Sequence, residues 1–258
     1  MSITIGFIGA GNMAGALSGG LLAKGRAATA LAMSDPSEHQ LQAFRERGIW
    51  TTGDNRALVE RSDVLLLAVK PQVMKDVLLP LADLVQARRP LVISIAAGIP
   101  AAAIERWLGG GVAVVRAMPN TPALVQSGAT GLFANERVGL GQQRLAEELL
   151  GAVGVTVWVD DEALIDSVTA VSGSGPAYFF YVMEAMIAAG VELGLDERTA
   201  RALTLQTALG AAQMAITADV GPAELRRRVT SPGGTTERAI AAFDEGRLRE
   251  VFASALQA

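Results

Sequence analysis

The chain has 258 residues, 50% of them hydrophobic and 19% charged, with a net charge of -4 and no basic run longer than Arg226 to Arg228, which gives nucleic acid no electrostatic footprint. It has no cysteine, one histidine (His39) and three lysines (Lys24, Lys70 and Lys75). Those counts exclude thiolate nucleophiles, disulfides, cysteine-ligated or multi-histidine metal sites, and any catalytic lysine beyond Lys75, so no metal is expected.

The uncharged stretch before Lys24 lacks a basic amino-terminal region, and Gly6, Gly9, Gly11, Gly15, Gly19, Gly20 and Asn12 interrupt it. It therefore reads as part of a globular, cytoplasmic chain rather than a leader or a membrane span. From Ile3 to about Val159 short β-rich runs alternate with helical stretches. Strands are predicted at Thr4 to Ile8, Ala30 to Ser34, Val64 to Val69, Leu91 to Ile95, Val112 to Met118 and Thr156 to Val159, with a weaker one at Ala129 to Phe133. Helices are predicted at Met13 to Lys24, Ser37 to Arg47, Val73 to Val85, Pro100 to Trp107 and Gly139 to Ala152. Strands such as Val64 to Val69 are apolar without alternation, as expected when helices cover both faces of a parallel sheet. The pattern predicts a doubly wound α/β domain over residues 1–160.

Beyond Asp160 the β-rich runs stop. Glu162 to Val171, Pro176 to Leu193, Glu197 to Ala218, Pro222 to Val229 and Thr236 to Ala255 read as helical, which predicts an all-helical second domain over 161–258. The second and third of these helices are apolar nearly all round and need burial on every side, which points to a subunit interface.

The strongest local signal is GAGNMA, Gly9 to Ala14, directly after the first strand and opening a helix. It fits the dinucleotide fingerprint: Gly9 makes the tight turn, Gly11 lets the backbone approach a pyrophosphate, and Ala14 lets helix pack on strand. Asn12 and Met13 complete the helix start on which the pyrophosphate would rest. Asp35 lies about 20 residues beyond, where a carboxylate meets the ribose hydroxyls of NAD. It serves equally well as a cap for the helix that follows Pro36, and Ser34, Ser37 and Asn55 offer donors to a 2′-phosphate, so NAD and NADP both remain open. AVKP (Ala68 to Pro71), SIAAG (Ser94 to Gly98) and RAMPNTPA (Arg116 to Ala123) also fall at strand ends or helix starts and should edge the ligand crevice. Lys70 is placed to meet a phosphate or hydroxyl of the cofactor.

In the helical domain, Ser172 to Tyr178 and Thr230 to Thr236 each put small residues and free N–H groups before a helix, which suits a carboxylate. Pro176 suits a first helical position, and Thr235 or Thr236 an N-cap. Ketone reduction by a nicotinamide commonly uses a His, Lys or Tyr donor. Here His39 lies on the adenosine side and the helical domain has no lysine. Reduction of a cyclic iminium, already protonated and electrophilic, fits this thin inventory.

Taken together, FIGAGNMA, AVKP, SIAAG, RAMPNTPALV, AVSGSGPAYFF and PAELRRRVTSPGGTTERAI resemble, in order and spacing, the pyrroline-5-carboxylate reductase family. The resemblance implies NAD(P)H-dependent reduction of 1-pyrroline-5-carboxylate to L-proline, the last step of proline biosynthesis. It also implies a Rossmann domain followed by a helical dimerisation domain, and assembly through dimers, often into decamers. By matching position it implies that Ser231, Gly234, Thr235 and Thr236 hold the substrate carboxylate, with Thr236 near the imine nitrogen as the catalytic candidate. Ser34, Asn55 and Lys70 match cofactor-binding positions, with Ala68 and Pro71 beside Lys70, while Ala97, Pro119 and Asn120 fall near the nicotinamide. NADPH is the family's usual donor; Asp35 stands where many relatives carry an uncharged residue, which leaves NADH open. Two alternatives stand beside this reading: a reductase of the six-membered cyclic imine acid, and a non-catalytic NAD(P)-binding regulatory protein.

Overall fold

The computed structural model describes residues 3–258 and divides into two compact units, Met1–Pro176 and Ala177–Ala258. In the first unit eight strands form one sheet: β1 (Ile5–Ile8), β2 (Leu31–Ser34), β3 (Trp50–Thr52), β4 (Val64–Leu67), β5 (Leu91–Ser94), β6 (Val114–Met118), β7 (Gly128–Ala134) and β8 (Gly154–Trp158). Their order is β3-β2-β1-β4-β5-β6-β7-β8. The first six run parallel, and β7 is antiparallel to β6 while β8 is parallel to β7, so the last two strands oppose the rest. Strand order reverses between β1 and β4, the switch point at which such sheets bind ligands.

Helices α1 (Asn12–Ala23), α2 (Glu38–Arg45), α3 (Asn55–Arg61), α4 (Pro71–Leu78), α5 (Ala82–Arg88), α6 (Ala101–Trp107) and α7 (Leu140–Leu150) cover the sheet. The strands β1, β2, β4 and β5 are buried throughout, and alternate residues feed two cores, one around Phe7, Leu17 and Met33, the other around Ile8, Leu65 and Met74. That explains their uninterrupted apolar runs.

Several expectations need correction. The helix predicted over Val73 to Val85 is two helices, α4 and α5, separated by a 3-10 turn at Leu79–Leu81 that contains Pro80, a residue that cannot continue the α-helical hydrogen bonds. β3 and α3 were not predicted. β3 has three half-buried residues and no apolar run, although Asp54, which caps α3 by accepting from Arg56 N at 2.8 Å, is a start signal written in the sequence. The stretch Glu162 to Val171 is a short α8 (Leu164–Val168) that runs into one turn of π-helix, Thr169–Gly173.

Alpha-8 and the π turn belong to the first unit, which extends past Asp160. They lie close to the sheet because Gly131 of β7 has no side chain: a Cβ there would sit 2.5 Å from Val168 Cγ1.

The remaining helices are α9 (Gly175–Glu192), α10 (Glu197–Thr217), α11 (Pro222–Arg228), α12 (Thr235–Glu245) and α13 (Leu248–Gln257). The expected single helix from Thr236 to Ala255 is broken after Gly246, where Arg247 takes a left-handed conformation at φ 55. The Arg226–Arg228 triplet is a solvated helix face: Glu224 accepts from Arg227 and Arg228, which hold its carboxyl below the usual range. Only Gly175, Ala200 and Thr204 of α9 to α13 are buried, whereas Phe179, Tyr181, Leu193 and Ile216 are 69%, 72%, 88% and 82% exposed. Apolar helices this bare need a partner surface.

Candidate functional site

The strand register brings the predicted cofactor residues to one edge of the sheet. Ile8 is level with Ser34 and Leu67, and Leu67 with Ser94, so Gly9, Asp35 and Ala68 follow on the next rung. Gly9 has φ 102, and a Cβ on it would fall 2.7 Å from the Ala68 carbonyl oxygen. Only glycine fits there. Its N–H donates to Ser34 O at 2.8 Å, which fastens the loop to β2.

Gly11 is the N-cap of α1 and makes no side-chain cap, and nothing lies within 4 Å of where its Cβ would be. The first turn of α1 carries no acidic residue. Unpaired N–H groups at a helix start facing open space fit a pyrophosphate, so a dinucleotide fits these residues. A cavity of about 560 Å³ adjoins this loop, bordered by Gly11, Asn12, Gly15, His39, Arg47 and Gln126.

Asp35 is tied into the loops. Its Oδ2 accepts from Ala10 N and its Oδ1 from Ser37 N, both at 2.9 Å. The carboxylate therefore joins the glycine loop to the start of α2, whose own cap is Ser37. Ser34 is fully buried and donates from Oγ to Asn55 Oδ1 at 2.6 Å. Asn55 opens α3, and the next residue, Arg56, grips Asp83 at 2.9 and 2.8 Å and donates to Pro80 O. That pairing lowers the Asp83 carboxyl to about 2. The tie between α3 and α5 is therefore complete above the ordinary carboxylate range and is lost only as pH falls toward 2.

Lys70 is the exposed N-cap of α4, with Pro71 at the first helical position, and its amine makes no hydrogen bond or ion pair among the described residues. Ala97 is exposed beside Gly98, while Pro119 and Asn120 are buried at the end of β6. The Asn120 side-chain amide is engaged at both ends, Nδ2 donating to Ser172 O at 3.0 Å and Oδ1 accepting from Ala129 N at 2.9 Å.

A second ion pair joins β6 to the segment before α8 and has no local sequence signal. Arg116, 6% exposed, donates to Glu162 Oε1 at 2.9 Å, and the same oxygen accepts from Ala101 N at 2.6 Å. One carboxylate thus serves β6 and the start of α6. The 46 residues between Arg116 and Glu162 hid the pair from local pattern reading.

In the second unit, Ser231, Gly234, Thr235 and Thr236 form one turn. Gly234 is the N-cap of α12, so neither threonine caps the helix as expected: they are its first two residues, and no side chain caps it. Ser231 O accepts from Gly234 N at 3.0 Å, and Glu237 reaches back to Gly233 N at 2.7 Å. A threonine cap would have consumed a first-turn N–H; glycine at the N-cap leaves these groups to a ligand. Gly234 and Thr236 are half-buried and Ser231 and Thr235 exposed.

Known proteins match both ends of the chain. A family model described as pyrroline-5-carboxylate reductase dimerisation matches residues 162–258, and one described as NADP oxidoreductase, coenzyme F420-dependent, matches residues 4–98. A pyrroline-5-carboxylate reductase from Pseudomonas aeruginosa is 54% identical over 98% of this chain and 93% of its own. A solved structure of a pyrroline-5-carboxylate reductase from Coxiella burnetii superposes with TM-score 0.96 at 47% identity, covering 100% of this chain and 96% of that one. The Plasmodium falciparum pyrroline carboxylate reductase, solved with NADP bound, superposes with TM-score 0.87 at 28% identity over 99% of this chain and 94% of that one.

Two substitutions probe the cofactor edge. Gly9→Ala should weaken NADPH binding at least tenfold in a fluorescence titration, because the methyl group meets a backbone carbonyl that has little room to retreat. Asp35→Ser should weaken NADH and NADPH alike, by about tenfold, through the lost bonds to Ala10 and Ser37. A selective gain for NADPH would instead put the carboxylate on the ribose.

Proposed function

The chain belongs to the pyrroline-5-carboxylate reductase family, reducing 1-pyrroline-5-carboxylate to L-proline with NAD(P)H in proline biosynthesis, and from that premise we propose how its residues divide the work. Gly9, Gly11, Asn12, Met13 and Ala14 receive the pyrophosphate at the start of α1. Ser34, Asp35 and Asn55 shape the adenosine end, Ala68, Lys70 and Pro71 the middle, and Ala97, Pro119 and Asn120 the nicotinamide end. The donor is NAD(P)H, with NADPH the form the family resemblance implies and NADH left open by Asp35. Lys70, without a hydrogen bond or ion pair among the described residues, is the cation that meets the phosphate or ribose. When bound, the dinucleotide supplies the hydride.

Ser231, Gly234, Thr235 and Thr236 hold the substrate carboxylate, chiefly through main-chain N–H groups of the α12 start. The uncapped glycine start of that helix is the observation that carries this assignment. Thr236 is the catalytic residue. Its hydroxyl orients the substrate at the imine nitrogen; the iminium arrives protonated, so hydride addition gives the amine without a proton transfer in that step and no stronger acid is needed. The dimerisation domain pairs two copies through the bare apolar faces of α9 and α10, and the resemblance extends this assembly to a decamer. No helix among the described residues is long and apolar enough to cross a membrane, and an enzyme drawing on the NAD(P)H pool suits the cytoplasm.

Loss of NADPH absorbance on mixing with 1-pyrroline-5-carboxylate tests the activity, and the five-membered ring should show the higher kcat/KM. A strong preference for the six-membered homologue, or cofactor binding without turnover, contradicts the reading. Thr236→Ala should lower kcat by roughly ten- to a thousandfold with NADPH affinity unchanged. An undiminished kcat would leave Thr236 only its main-chain role.

A further inference from the structure

The amide of Asn120 sits where two separate backbone interruptions meet. In the β6–β7 ladder Met118 pairs with Gly131, and continuing that register would place residue 120 opposite Ala129. The backbone instead leaves the sheet for the 3-10 turn Thr121–Val125, and the Asn120 side chain takes the vacated place by accepting from Ala129 N. The second interruption is on the facing segment. Ser174 N bonds to Thr169 O at 2.8 Å, which closes the π turn. The carbonyl of Ser172 would find its helical donor four residues on, but that residue is Pro176, which has no N–H. Asn120 Nδ2 supplies the missing donor.

The two segments also touch without hydrogen bonds: a Cβ on Gly173 would fall 2.7 Å from Met118 Cε. Asn120 is 8% exposed. A π turn in a helical run is a feature that recurs at functional sites.

We propose that Asn120 is a positioning residue of the reductase, whose side-chain amide holds the end of β6 and the π turn at Ser172 in one arrangement during turnover. This rests on the assignment of Ala97, Pro119 and Asn120 to the nicotinamide end. It goes further in giving the Asn120 side chain wholly to Ser172 O and Ala129 N, which leaves only its main chain to the nicotinamide, so that replacing the side chain spares cofactor binding. A wholly structural asparagine would affect folding alone, and a side chain that binds cofactor would affect NADPH affinity.

The test uses the full-length enzyme. Asn120→Asp keeps the shape and the acceptor for Ala129 N but sets an oxygen against Ser172 O. NADPH affinity by fluorescence titration should match wild type, while kcat/KM for 1-pyrroline-5-carboxylate falls about ten- to a hundredfold, the scale of a small misplacement. A weakened NADPH affinity as the main effect overturns the proposal, and so does a lowered melting temperature with unchanged kinetics. Should that variant fail to fold, Gly173→Ala displaces the same turn through Met118 and should show the same split; wild-type kinetics there overturn the proposal. As a rescue, Pro176→Ala restores an N–H for Ser172 O, so Asn120→Ala should cost less kcat/KM in that background than alone. Strict additivity counts against the coupling. Wild-type enzyme that binds NADPH but never oxidises it with this substrate overturns the reductase reading itself, which separates that failure from this one.

Discussion

Unpaired main-chain N–H groups at helix starts are the constraint on which the rest of the structure depends. A helix begins with donors that no intrahelical carbonyl can satisfy, and most starts settle them with a side-chain oxygen. This chain does so at α2, α3 and α10, through Ser37, Asp54 and Asp196. Glycine stands at the N-cap of α1, α7, α11 and α12 with no side-chain cap, and α1 and α12 are the two of these starts assigned to ligands. Both starts suit oxyanions, a pyrophosphate in the first unit and a carboxylate in the second. The surrounding contacts serve those starts: Gly9 pressed on the Ala68 carbonyl, Asp35 bonded to Ala10 N, and Glu237 reaching back to Gly233 N.

This reliance on main-chain donors accounts for the thin set of reactive side chains. With no cysteine, one histidine, in α2, and no lysine beyond Lys75, the chain has few acids or nucleophiles to aim at a substrate. An iminium demands few, because the electrophile arrives already protonated, and the protein's task is orientation. The helical unit shows the same economy in packing. Its helices bury almost nothing within one chain, so they depend on a second copy for the core that one chain lacks.

Features with a local cause were legible in the sequence. The apolar run before GAGNMA fixes both β1 and the loop, since an uncharged strand followed by a φ-positive glycine has few other uses. The sequence also carried signals that went unread, namely Pro80 between α4 and α5, Asp54 before α3, and Gly246 before the left-handed Arg247. What could not be read was pairing across distance. Asp35 offered two local roles, cap and ribose ligand, and its bond to Ala10, 25 residues away, belonged to neither. The Arg116–Glu162 and Asn120–Ser172 bonds span 46 and 52 residues, and only the register of β6 brings them together. Thr235 and Thr236 fit the helix start by composition, yet the cap fell to Gly234, because the tight turn from Ser231 carries the chain into α12 one residue earlier.

Main-chain donors at the starts of α1 and α12 are assigned the pyrophosphate and the substrate carboxylate, with Lys70 the one side-chain cation assigned to the cofactor. A crystal structure with NADP⁺ and a five-membered-ring carboxylate such as proline tests this division most directly. Pyrophosphate oxygens should lie within hydrogen-bond distance of the N–H groups of Gly11 to Met13, and the ligand carboxylate on those of Gly234 to Thr236. A carboxylate held instead by an arginine side chain, with the α12 start left to solvent, would contradict it.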